Sequence, residues 1–258
     1  MSDIIARRAF TPLYIWLDIA FLIIFMALLF RRKRYMALIS GIVMGIFYMV
    51  VDYGVFHLLT GSRSISAGYS MFWVLLWMSI SYGFTNFAWI WLWLDRDPHL
   101  KEWTLLILSW WFCAPHISET FAQNGDLIVI QRTTGAYHGW MAIILFVSYL
   151  GVIVYNLYQR RPDERINLGR LLMIGICVQL GWETALLLGG VRSAGFDFAQ
   201  KLITLIVNSL LETNLGMPLA FVIYIAITRR IASDLKPKRP VLAFHERMGE
   251  YNRATENT

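Results

Sequence analysis

Seven apolar runs, each about as long as a bilayer-crossing helix, dominate this chain, at about 12–30, 36–59, 69–94, 103–122, 138–158, 168–190 and 202–228. A helix rises about 1.5 Å per residue, so roughly 20 apolar residues cover the hydrocarbon core. Lipid offers no partner to backbone N–H and C=O groups, so each span must close its hydrogen bonds within itself. The chain is therefore expected to be an all-α polytopic membrane protein, a bundle of seven transmembrane helices over residues 1–232, followed by a basic cytoplasmic tail at 233–258. Composition agrees: 57% of residues are hydrophobic and 16% charged, against about 25% charged in soluble domains.

Charge supplies an orientation. Segments 31–34, 96–101, 160–170 and 229–258 hold seventeen of the 23 Lys and Arg. The positive-inside rule then puts the N-terminus outside and the C-terminus in the cytoplasm. The net charge of +6 is accounted for by this bias and needs no nucleic acid. The expected location is the plasma (inner) membrane of a bacterium. The first span lacks a small-residue cleavage site and is expected to be a resident helix. Cys113 and Cys177 fall within spans, where no disulfide is expected.

Five carboxylates interrupt the apolar runs: Asp18, Asp52, Glu119, Glu183 and Glu212. No Lys or Arg lies deep enough in a span to pair with them, and an unpaired charge at bilayer depth costs about 3 kcal/mol on insertion scales. Counting along the spans puts Asp52, Glu183 and Glu212 roughly 5–6 Å to the outer side of the midplane, Asp18 in the same layer, and Glu119 roughly 10 Å out. One shared polar site in the outer half is the expectation.

Local spacing adds to it. Tyr48, Asp52 and Phe56 share a helix face, as do Asn208 and Glu212. Pro218 removes the hydrogen bond to the carbonyl of Asn214, two residues beyond Glu212. His116 and Glu119 share a face behind Pro115. Eleven Trp are too many for interfacial belts alone; some are expected to line a pocket. The connection 123–137, apolar at Leu127–Ile130, is a candidate lid. The candidate catalytic residues are Asp52, Glu212 and Glu183. The candidate substrate-binding residues are Trp182, Tyr48, Trp77, Asn208, Asn214, Asp18, His116 and Glu119. No metal ligand and no cofactor is assigned, and the expected partners are the lipid bilayer and a hydrophobic small molecule.

A carboxylic acid in an apolar pocket can act as a general acid, and aromatic faces stabilise cations. Together they suit proton-initiated cyclisation of a polyprenyl chain. Length, span count and acid placement resemble the small integral-membrane terpene cyclases of fungal meroterpenoid and indole-diterpene pathways, which have bacterial relatives. The similarity rests on Asp18 within Tyr14-Ile-Trp-Leu-Asp18, on Arg34-Tyr35-Met-Ala followed by Asp52, and on Glu212 in the seventh span. The resemblance implies Asp52 and Glu212 as the acid–base pair. Asp stands here for that family's helix-two Glu, Glu for its helix-seven Asp, and its Trp before the helix-two acid is absent.

Two other functions fit the same residues. A proton-coupled carrier of a cationic or aromatic solute would use intramembrane acids, though no internal repeat is visible. A metal-dependent enzyme would draw on His57, His116 and His138 with Glu119 and Asp52, without a tight ligand motif. A retinal protein is excluded, since the seventh span carries only Lys201, at its outer edge.

Overall fold

The computed structural model describes residues 5–122, 126–133, 135–159 and 165–234. Seven helices run through them: α1 (Pro12–Arg31), α2 (Tyr35–Met49), α3 (Met71–Leu94), α4 (Leu100–Phe121), α5 (Gly135–Tyr158), α6 (Leu168–Leu188) and α7 (Phe198–Asp234). The segment Val50–Leu59 continues α2 as a π-helix. Three strands, β1 (Ile5–Phe10), β2 (Arg63–Ile65) and β3 (Ile128–Thr133), form a sheet in the order β1-β3-β2. The expected tail from residue 235 on, and part of the connection 123–137, lie outside the described residues.

Five helices are long and apolar enough to cross a membrane: α1, α2 with its π-helical end, α5, α6 and α7. The expectation of seven such runs is thus met in five. In α3 nearly every residue from Val74 to Leu94 is buried, polar Ser79, Ser81, Thr85 and Asn86 included. A helix shielded by its neighbours needs no lipid-compatible surface, so its composition drifts from the membrane pattern. In α5 the opposite holds: Ile143, Ile144, Phe146 and Val147 are all exposed, as a lipid-facing helix requires.

Close packing of α2 on α3 positions the centre. Gly41 and Gly45 lie one turn apart, and a Cβ on Gly83 would sit 2.8 Å from the Cα of Gly45. Small residues at this spacing let two backbones touch, the usual device of helix pairs in lipid. At the start of α1, Thr11 caps the helix by accepting from the Tyr14 N–H, and Pro12 follows at the first helical position, where its missing N–H costs nothing. At the other end of the bundle, Arg34 pairs with Asp97, and Arg170 donates to the last carbonyls of α3, Trp93 at 2.9 Å and Leu94 at 3.2 Å.

The sheet departs from the all-α expectation. Both pairings are antiparallel, with Arg8 opposite Ile130, and Arg132 opposite both Ala6 and Arg63. Period-two alternation puts Ala6, Arg8 and Phe10 on one face with Ile128, Ile130 and Arg132, and all six are buried. The α6–α7 connection joins through Ala9 N–H to Val191 O (3.0 Å) and Ser193 N–H to Arg7 O (2.9 Å). The sheet thus unites four segments at one end of the bundle.

Residues up to Phe221 form one compact unit. The remainder of α7, from Val222, forms a second, in which the Thr228 hydroxyl donates to the carbonyl of Tyr224 at 2.7 Å.

Candidate functional site

Three of the five carboxylates are paired with arginines, contrary to the expectation. Asp52 contacts Arg63 at 2.5 Å and Arg132 at 3.5 Å. Arg132 also meets Glu212 at 2.5 Å, and Arg192 meets Glu183 at 2.6 Å. None of these arginines lies in a span: two stand on strands and one in the α6–α7 connection. Span composition alone cannot reveal them, because the sheet folds its buried face onto the helix ends and turns the guanidinium groups inward.

Gln179 joins the halves. Its amide donates to Glu183 at 3.3 Å and to Glu212 at 3.4 Å. A continuous chain results: Arg63, Asp52, Arg132, Glu212, Gln179, Glu183, Arg192. It draws on β2, the π-helix, β3, α7, α6 and the α6–α7 connection. Asp52 occupies the π-helical stretch, a rare local geometry often found at functional positions, and this segment sets its carboxylate against both Arg63 and Arg132.

A fourth guanidinium, that of Arg8, lies in the same cluster. It stacks on Tyr82, 4.6 Å from the ring centroid, and on Trp182 at 5.1 Å. Arg132 lies 4.5 Å over the ring of Phe56. Such contacts contribute about 2 kcal/mol each when desolvated. Burial pushes the Arg63 guanidinium down to about 10, against the pull of Asp52, with Arg132 and Arg8 pushing the same way as burial. Burial likewise lowers Arg192, Glu183 opposing and Arg8 adding to the shift. At about 10, Arg63 remains charged at neutral pH.

Two cavities adjoin this network. The smaller, about 40 Å³, is lined by all four arginines with Tyr48, Asp52, Tyr82, Trp182 and Glu212 among others. The larger, about 270 Å³, is mainly apolar and runs between α2, α3, α5 and α7. Met44, Phe47, Tyr48, Val51, Phe56, Phe87 and Met141 line it, and Asp52, Arg132 and Glu212 form its polar end. Tyr48, Asp52, Arg132 and Glu212 border both cavities.

The residues singled out from sequence divide accordingly. Asp52, Glu212, Tyr48 and Trp182 line a cavity, and Glu183 joins the network from behind Arg192. Asp18 and Trp77 form a separate buried pair, the indole N–H donating to the carboxylate at 2.9 Å. Asn208 is fully buried, and Asn214 packs on Gly175 of the neighbouring α6; neither lines a cavity described above. His116 and Glu119 are exposed on α4. Trp103 is buried against Phe25. The candidate lid is in part β3, the central strand, which contributes Arg132. Among the described residues no three His, Cys, Asp or Glu side chains gather closely enough to hold a metal, so His57, His116 and His138 do not assemble a ligand set. Cys113 and Cys177 are free thiols.

Arg8, Arg63, Arg132 and Arg192 all lie outside the apolar runs, in segments where sequence reasoning expects no buried side chain. The signal was there in the alternation Ile128-Val-Ile130-Gln-Arg132, a strand pattern whose inward positions end in an arginine. Comparison with protein-family models, with curated proteins and with solved structures finds no match to this chain.

Proposed function

We propose that this chain is an integral-membrane enzyme that cyclises or isomerises a lipid-soluble, terpenoid-like substrate without redox chemistry. All seven helices cross the bilayer in this reading, with the N-terminus outside and the protein in a bacterial inner membrane. The observation that carries it is the larger cavity: apolar along its length, it ends on Asp52 and Glu212, which share Arg132.

In the proposed reaction, one carboxyl group protonates an alkene or epoxide, and the positive charge moves along the substrate as carbon–carbon bonds close. The second carboxylate then removes a proton. Gain and loss balance, so product and substrate have the same formula. Tyr48, Phe56 and Phe87 present aromatic rings to the migrating charge. Asp52 keeps Arg63 as a second partner, so a small shift of Arg132 toward Asp52 releases Glu212 to carry the proton. Glu212 is then the donor and Asp52 the acceptor.

The test uses the purified protein in lipid nanodiscs, incubated with polyprenyl alkenes and their terminal epoxides. Mass spectrometry should find a product of unchanged mass and altered retention, absent with Glu212→Gln of unchanged folded yield. Substrate that stays chemically intact but crosses the membrane of sealed proteoliposomes would replace this reading with that of a carrier.

A further inference from the structure

Four guanidinium groups face three carboxylates in one buried cluster, and the surplus charge sits on Arg8. Its pairing differs from that of the other three. Among the described residues no carboxylate makes an ion pair with it. Its neighbours are two aromatic faces and the sulfur of Met78, at 3.8 Å from Nη1. Arg8 is 8% exposed and Arg192 is 4% exposed. The Nε–H of Arg8 and the Nη2 group of Arg192 are buried without an acceptor, although a buried charged donor ordinarily finds one. Both residues line the smaller cavity.

We propose that the smaller cavity is an oxyanion subsite, and that the molecule bound here is amphipathic: a compact anionic head between Arg8 and Arg192, and an apolar chain in the larger cavity. The two cavities share four lining residues, so one molecule reaches both. Planar guanidinium groups match the paired oxygens of a carboxylate or phosphate. The stacking of Arg8 on Tyr82 and Trp182 holds its guanidinium in place while leaving the Nε–H without an acceptor. Size limits the head. About 40 Å³ is space for roughly three waters, which admits a carboxylate or monophosphate and excludes a sugar or nucleotide. The proposal rests on the assignment of the larger cavity to a lipid-soluble substrate and adds the substrate's charge to it.

Calorimetric titration of the full chain in nanodiscs of neutral lipid tests this with three probes: dodecyl phosphate, dodecanol and inorganic phosphate. Dodecyl phosphate should bind about tenfold to a hundredfold more tightly than dodecanol. Arg8→Gln should remove that preference and leave dodecanol affinity unchanged, while Arg8→Lys, which keeps the charge, should retain part of it. Equal affinity of the native chain for the alcohol and the phosphate ester overturns the subsite, as does a preference untouched by Arg8→Gln. Inorganic phosphate binding as tightly as the ester overturns the amphipathic ligand in favour of a free anion. Phosphate binding with no response to dodecanol would instead sink the apolar-cavity reading and leave the anion subsite standing. Should Arg8→Gln fail to fold, Trp182→Leu, which removes one stacking face, is expected to weaken the ester selectively.

Discussion

Arg132 on the central strand and Glu212 in the middle of the last helix meet at 2.5 Å across 80 positions of sequence. This contact ties the sheet to the bundle, and it can be weighed directly. Removing one partner of a buried pair costs about 3–5 kcal/mol because the other charge is left uncompensated. Arg132→Met should therefore destabilise strongly, Glu212→Met by less, since Arg132 retains Asp52. The double variant should be more stable than the sum of the two losses, by about 1–3 kcal/mol. Thermal unfolding of the four proteins in nanodiscs decides it; simple additivity would mean that the contact contributes nothing.

The approach of α2 to α3 makes a second prediction. Gly83→Ala forces a methyl against the backbone of Gly45 and should cost roughly 1–3 kcal/mol. Gly54→Ala meets nothing within 4 Å and should change stability by less than about 0.5 kcal/mol. Unfolding temperatures that rank the two the other way would place the close contact elsewhere.

The sheet register is open to cross-linking. Ala9 and Val129 are direct antiparallel neighbours, at a Cα separation that suits a disulfide. In a background with Cys113 and Cys177 replaced by Ala, Ala9→Cys with Val129→Cys should oxidise readily. Moving the second cysteine to Thr133, which lies opposite Ile5, should abolish bridging. Protease cleavage between α3 and α5, followed by non-reducing electrophoresis, shows whether the two halves stay linked.

The Asp18–Trp77 pair predicts a purely structural effect. Trp77→Phe keeps most of the ring but leaves a fully buried carboxylate without its indole donor, a loss of about 1–3 kcal/mol. Stability should fall while ligand affinity at the Arg8 cavity is retained. A selective loss of affinity would bring Asp18 into the functional site.

Helix positions were legible in sequence because lipid imposes a simple rule on composition, and Asp52, Glu183 and Glu212 stood out against it. Depth grouped them, but it grouped Asp18 with them as well, and that acid pairs with Trp77 instead. The arginine partners did not follow from depth. Arg8 precedes the first helix and Arg63, Arg132 and Arg192 lie in connections, where arginine is unremarkable, and only backbone pairing between segments far apart in sequence turns them inward. The Gly41–Gly45 spacing was a readable sign of close helix packing. The exposure of His116 and Glu119 was not readable, because helical spacing places two residues on one face without saying which face the bundle covers.

The sheet that completes the charge network also sets an order for biogenesis. Asp52 belongs to the second apolar helix, yet Arg132 is translated about 80 residues later, some 4–16 s at ordinary ribosomal speed. During that interval Arg63, eleven positions downstream, is the nearest counter-ion to Asp52 in the finished structure. Glu212 emerges last, after Arg132 is already in place. The nascent chain thus holds Arg63 and Arg132 before Glu212 is made, and the final helix closes a charge pattern that the strands have prepared.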